Sequence, residues 1–137
     1  MDRLVDLIKV YEKALDFDVC DYLIDLFEKR EKNHERFDND RKPNFTQINL
    51  TEICKESTDI QDAHGIIVNS ILNYKNEYYS FIDERCFPNS YALEEIRIKR
   101  YNTDGNDAFD AHVDVTDCDS SKRFLSSHYY LLVSPLL

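Results

Sequence analysis

The sequence predicts an α+β fold, with helices first and strands last. Three observations carry that expectation. Residues 18–32, DVCDYLIDLFEKREK, put Val19, Tyr22, Leu23, Leu26 and Phe27 on one helical face. A longer helical pattern runs from Thr58 to Ile82. After residue 92 the period drops to two: EIRIKRY at 95–101, AFDAHVD at 108–114 and RFLSSHYYLLV at 123–133 alternate as strands do.

Taken in order, LVDLIKVY at 4–11 fits a helical turn as well as a strand, and a strand at 7–11 is preferred. Asp16 or Asp18 is placed to cap the helix at 18–32. HERFDNDRKPN at 34–44 is polar, contains a proline and reads as a loop. FTQINL at 45–50 reads as a strand, with Ile48 and Leu50 on one face and Gln47 and Asn49 on the other. Along the second helix, Ile60, His64, Ile67, Ile71, Tyr78 and Ile82 form a stripe flanked by Val68, Leu72 and Tyr79. Gly65 costs this helix up to about 1 kcal/mol relative to alanine and marks a kink or a close approach. RCFPNSYA at 85–92 breaks the pattern, and Asp104-Gly105 signals a turn within NTDGND. The expected organisation is one domain, with a helical support region at 1–92 and a strand region at 93–137.

Composition narrows the function. The 137 residues are 42% hydrophobic and include 9 Tyr and 8 Phe, a globular composition. Gly65 and Gly105 are the only glycines, which argues against glycine-rich phosphate loops. A formal net charge of −10 opposes nucleic acids and anionic membranes as partners. Cys20, Cys54, Cys86 and Cys118 form no C-x-x-C pair, so a zinc ribbon is not expected. There is no signal-peptide core and no run of roughly 18 apolar residues. A reduced, cytoplasmic protein is the expectation.

The chemistry is sought in AFDAHVD. On a strand, residues i and i+2 share a face, so Asp110, His112 and Asp114 point one way and Phe109, Ala111 and Val113 the other. An imidazole and a carboxylate side by side supply two members of a 2-His-1-carboxylate iron triad. By itself H-x-D is a weak signal. The longer string IRIKRYNTDGNDAFDAHVDVTDCDSSKRFLS resembles the 2-oxoglutarate/Fe(II)-dependent oxygenases of the prolyl 4-hydroxylase type. In that superfamily a strand ending R-Y precedes F-x-x-H-x-D, then an arginine, then a strand with Y-Y-L. Arg100-Tyr101, Phe109, His112, Asp114, Arg123 and Tyr129-Tyr130-Leu131 follow that order. CDYLIDLFE and FTQINL are also similar to the first helix and an early strand of small oxygenases of this kind.

The resemblance implies a double-stranded β-helix, a jelly-roll or cupin-like core resting on the N-terminal helices. It implies Fe(II) bound by His112 and Asp114, and 2-oxoglutarate as cosubstrate near Tyr101 and Tyr130. Ascorbate is a further implied cofactor. The reaction would couple decarboxylation of 2-oxoglutarate to succinate with hydroxylation of a C–H bond in a peptidyl prolyl or similar substrate. For Tyr101 and Tyr130, core packing with a satisfied hydroxyl is the competing reading. Asp110 has no ligand role in the pattern and is expected to be solvated or to support a ligand. His64 is expected to be a partly buried core residue, His34 a loop residue, and Cys118 no ligand.

The pattern then breaks. The family continues with G-G-x-T-x-F, a distal histidine and a basic residue for the cosubstrate's C5 carboxylate, and none follows Tyr130 here. His128 is the only later histidine, and it lies on the strand of Tyr130, so it would approach the iron from the wrong side. The expectation is therefore a C-terminally truncated oxygenase with an incomplete β-helix, through a frameshift or as a piece of a longer chain. Uncovered strand edges would favour a homo-oligomer. The alternative is a catalytically inactive remnant that acts, if at all, by binding a partner.

Overall fold

The computed structural model describes residues 7–40 and 43–131 of the chain. Helix α1 spans Phe17–Lys29, and its apolar stripe buries Leu23, Leu26 and Phe27. Asp16 is its N-cap through the backbone: its carbonyl accepts from the Val19 and Cys20 amides at 3.0 Å. A 3₁₀ turn, Glu31–Asn33, ends the segment. Strand β1, Glu35–Phe37, follows, then β2, Phe45–Asn49, the four-residue helix α2, Leu50–Ile53, and α3, Thr58–Tyr79. Strand β3, Arg97–Arg100, completes an antiparallel sheet of order β1-β2-β3. The fold is α+β, with the sheet taking β1 and β2 from before residue 93 and β3 from after it.

The register shows what each sheet face carries. Ile48 pairs with Ile98, and both turn toward the helices, joining Leu23, Leu26, Phe27, Leu50, Ile60, Ala63 and Ile67 in one core. Arg100 shares that face: it lies over the Phe27 ring and pairs with Glu28 at 2.8 Å. On the opposite face, Glu35, Gln47 and Lys99 form one row, and Phe37 and Phe45 the next. Phe45 is buried yet lies outside the helix-side core. A second apolar layer therefore covers this face.

Several expectations are corrected. Residues 7–11 form no strand; Ile8 and Val10 are 67% and 84% exposed. The alternation there had no neighbour to pair with, and the segment instead runs past α3, where Tyr11 packs on Tyr74 and Tyr78 donates to the Leu7 carbonyl. The expected loop at 34–44 contains β1, because its polar residues suit an outer strand. Strand β2 is buried along all five residues, since it is central and covered on both faces. At Leu50 the chain turns into α2, and Asn49 caps it by accepting from the Glu52 amide at 3.2 Å. Gly65 marks neither a kink nor a close approach: α3 runs through it, and a Cβ there would meet nothing within 4 Å.

AFDAHVD is not a strand. The chain leaves β3, makes an excursion at 102–107, and returns to β2 for a single rung in which Asn44 and Ala108 exchange bonds of 2.9 and 3.1 Å. Among the described residues the pairing stops at this rung. Residues 123–131 also form no strand, although their alternation is real. Tyr129 and Leu131 pack against the core, while Tyr130 faces outward. Residues 132 and 133 of that expected strand lie outside the described residues. Three strands are described, and no jelly-roll is formed by them.

Candidate functional site

The excursion between β3 and Ala108 sets the position of the histidine motif. Asp107 anchors its far end, with a side chain only 1% exposed. The Arg36 guanidinium of β1 donates to it through two nitrogens at 2.7 and 3.0 Å, and the Asn102 amide donates at 2.9 Å. Asp107 in turn holds the Arg36 pKa above its ordinary value. With the Asn44–Ala108 rung this fixes the entry of the motif onto the sheet. Phe109 then stacks on Phe45, centroids 5.9 Å apart, and His112 stacks on Phe109 at 4.0 Å.

His112 and Asp114 are brought together without a strand. Nε2 of His112 is 3.3 Å from Oδ1 of Asp114. Nδ1 is 2.8 Å from the Asp110 carbonyl oxygen. A carbonyl only accepts, so Nδ1 carries the proton, and in the neutral ring the Nε2 lone pair faces the carboxylate. Asp110 thus acts through its backbone, not through its side chain. Two donors about 2.1 Å from one metal ion at a right angle stand roughly 3 Å apart, so this pair fits one divalent cation. Among the described residues no group of three or more His, Cys, Asp or Glu gathers around a common point.

Asp114 is held from behind. Arg123 donates to its backbone carbonyl at 2.5 Å and pairs with Glu94 at 2.6 Å, while the Ser126 hydroxyl donates to Oδ2 at 3.3 Å. Downstream, the Ser120 hydroxyl accepts from the Thr116 and Asp117 amides, and the Ser120 amide returns a bond to Asp117. The Ser120 amide, and then its hydroxyl, donate to the Asp117 carboxylate and keep it below the usual carboxylate range.

Tyr101 closes the aromatic row, its ring 5.6 Å from Phe45. Desolvation raises its pKa first, then the charges of Asp107 and Tyr130. Tyr130 is therefore within electrostatic reach of Tyr101, although it is 87% exposed. His64 is half-buried against Thr51, as expected of a helix-stripe residue. His34 is more than a loop residue: it stacks on Phe27 and donates from Nε2 to the Phe27 carbonyl at 2.9 Å, covering the end of α1. Cys118 is exposed.

One residue of this face escaped the sequence reading. The Lys99 ammonium lies over the rings of Phe45 and Phe109, 4.5 and 5.1 Å from their centroids. Desolvation lowers its pKa, Arg97 lowers it further, and Asp114 opposes them. The signal was present, because Lys99 and Tyr101 share parity in EIRIKRY.

Compared with protein-family models, curated proteins and solved structures, the chain matches none. Among the described residues no helix is long and apolar enough to cross a membrane.

Proposed function

We propose that this chain is an Fe(II)/2-oxoglutarate-dependent oxygenase of the prolyl 4-hydroxylase type, its sheet being the start of a double-stranded β-helix. The observation that carries the reading is the His112–Asp114 pair: an imidazole Nε2 and a carboxylate oxygen 3.3 Å apart, with Nδ1 donating to the Asp110 carbonyl. The layout of the sheet supports it, with helices on one face and the pair on the other.

His112 and Asp114 would hold the iron, with a third donor beyond the described group. When bound, iron and 2-oxoglutarate supply oxidative decarboxylation coupled to C–H hydroxylation, and ascorbate serves to keep the iron ferrous. The chain's own residues have simpler tasks. Arg123 and Ser126 fix the Asp114 backbone and carboxylate. Phe109 supports the imidazole plane and, with Phe45, keeps water from its sheet side. Tyr101 and Tyr130 offer hydroxyls to the cosubstrate. The substrate is a peptidyl or small-molecule C–H donor, and four free thiols suit a reduced, cytoplasmic setting.

Anaerobic titration with Fe(II) and 2-oxoglutarate tests the proposal. A saturable visible charge-transfer band, lost in His112→Ala, is the expected result. A folded chain that gives no band would refute it.

A second reading has its own observation. Phe109, which stacks on His112, and Val113 and Val115, which flank Asp114 in the chain, are all exposed, apolar side chains suited to a protein partner. In that reading the chain is an inactive remnant that binds. A stable metal-independent complex or oligomer, with no band, would favour it.

A further inference from the structure

The tip of the 102–107 excursion carries a carboxylate next to an unhindered amide. Asp104 is the only aspartate of the chain that precedes a glycine. Asp104 and Gly105 are both exposed and lie in a turn outside any helix or strand. The Asp104 side chain folds back along the backbone, its Oδ1 accepting from the Asn106 amide at 3.1 Å, across Gly105. The Gly105 amide lies between these groups and makes no hydrogen bond among the described residues. Gly105 has no side chain to shield that nitrogen, and a Cβ there would meet nothing within 4 Å. The excursion is fastened at Asp107 and at the Asn44–Ala108 rung, so its tip has room to change its covalent path while both ends stay in place.

We propose that Asp104–Gly105 is a modification site, at which the folded chain converts an aspartyl linkage into an isoaspartyl one. The Gly105 nitrogen attacks Cγ of the protonated Asp104 carboxyl. The N–Cγ bond forms, and the amide hydrogen leaves with the carboxyl hydroxyl as water. Water then adds to one of the two carbonyls of the cyclic imide and breaks its bond to nitrogen. Opening at Cγ restores aspartate. Opening at the backbone carbonyl routes the chain through Cβ and Cγ and frees the former backbone carbonyl as a carboxylate. One water is lost and one regained, so mass and formal charge are unchanged, and the backbone at the tip gains one methylene. The inference is independent of the oxygenase reading.

The test incubates the full chain in mildly acidic buffer made with heavy-oxygen water, with circular dichroism to check that it stays folded. Tryptic digestion releases residues 101–122, and reversed-phase chromatography with electron-transfer fragmentation locates any isomer. Two forms of equal mass are expected to separate, the slowly growing one isoaspartyl at residue 104 and carrying one heavy oxygen. An isoaspartyl-specific carboxyl methyltransferase with labelled S-adenosylmethionine should mark that form alone. It should be lost in Asp104→Glu, whose longer side chain closes the ring poorly. It should form severalfold more slowly in Gly105→Ala, where a methyl group crowds the nitrogen and a φ of 89° is strained. A free peptide of residues 101–107 gives the unstructured reference, and the folded chain should react within severalfold of it. The inference is overturned if the folded chain gives no second form, whatever the peptide does. It is also overturned if the isomer lies at another residue, or if both variants form it at the native rate. The comparison of folded chain with peptide keeps the test decisive if either variant fails to fold.

Discussion

Asp59 sits in the first turn of α3, beside Ser57 and the Arg30 guanidinium, which donates to its two oxygens at 2.7 and 2.5 Å. The Ser57 hydrogen bond, and then that of Arg30, hold its carboxyl down at about 2, from an ordinary 3.8. A carboxylate depressed on folding stabilises above its unfolded pKa, and the contribution is lost as pH falls from about 4 through about 2. Because its side chain is 42% exposed, the contribution is roughly 1 kcal/mol after discounting for solvent screening. Urea unfolding at stepped pH should show this loss in the native chain, and a flatter profile over the same window in Asp59→Asn. Asp107 has a different task, since it ties the excursion to β1. Asp107→Ala should leave the chain folded and weaken Fe(II) binding roughly tenfold, as loss of ligand support does elsewhere. Unchanged metal affinity would show that the rung at Asn44 positions the motif alone.

At the scale of elements, α3 offers two opposed tests. Gly65→Ala adds a methyl into open space on a regular helix and should raise stability by up to about 1 kcal/mol, read as a higher melting temperature. Ile60 is fully buried between helices and sheet, and Ile60→Ala should cost about 2–5 kcal/mol in chemical denaturation. Both helices were legible because their apolar faces repeat over three turns or more. β2 and β3 were legible as strands, but β1 was not, since a three-residue outer strand of polar residues carries no burial pattern. AFDAHVD shows the converse limit. Its alternation was real, yet a strand needs a partner along its length, and beyond the Asn44–Ala108 rung the described residues give it none. His112 and Asp114 still meet, through the Asp110 carbonyl and the Arg123 clamp instead of a shared strand face. Lys99 was missed for a different reason: a lysine in a strand reads as solvated until the rings beneath it are seen.

For the whole molecule, charge and topology pull in opposite directions. The outer strands β1 and β3 present backbone edges, and Phe109, Val113 and Val115 are exposed at the candidate site. Ten net negative charges oppose bringing two copies together. Screening weakens that repulsion over a Debye length of about 10 Å at 0.1 M salt. Sedimentation at fixed protein concentration should therefore show average mass rising with ionic strength, and a mass independent of salt would count against association through these edges. The excursion at 102–107 has a consequence for how such a chain tolerates change. It is fastened where it departs, at the Asn102 amide, and where it returns, at Asp107 and Ala108. Its tip, around Gly105 with φ of 89°, lies in solvent between those fasteners. Length added at the tip is absorbed between two pins and does not reach His112, so this loop is where insertions could accumulate, or an epitope be grafted, while the site keeps its shape.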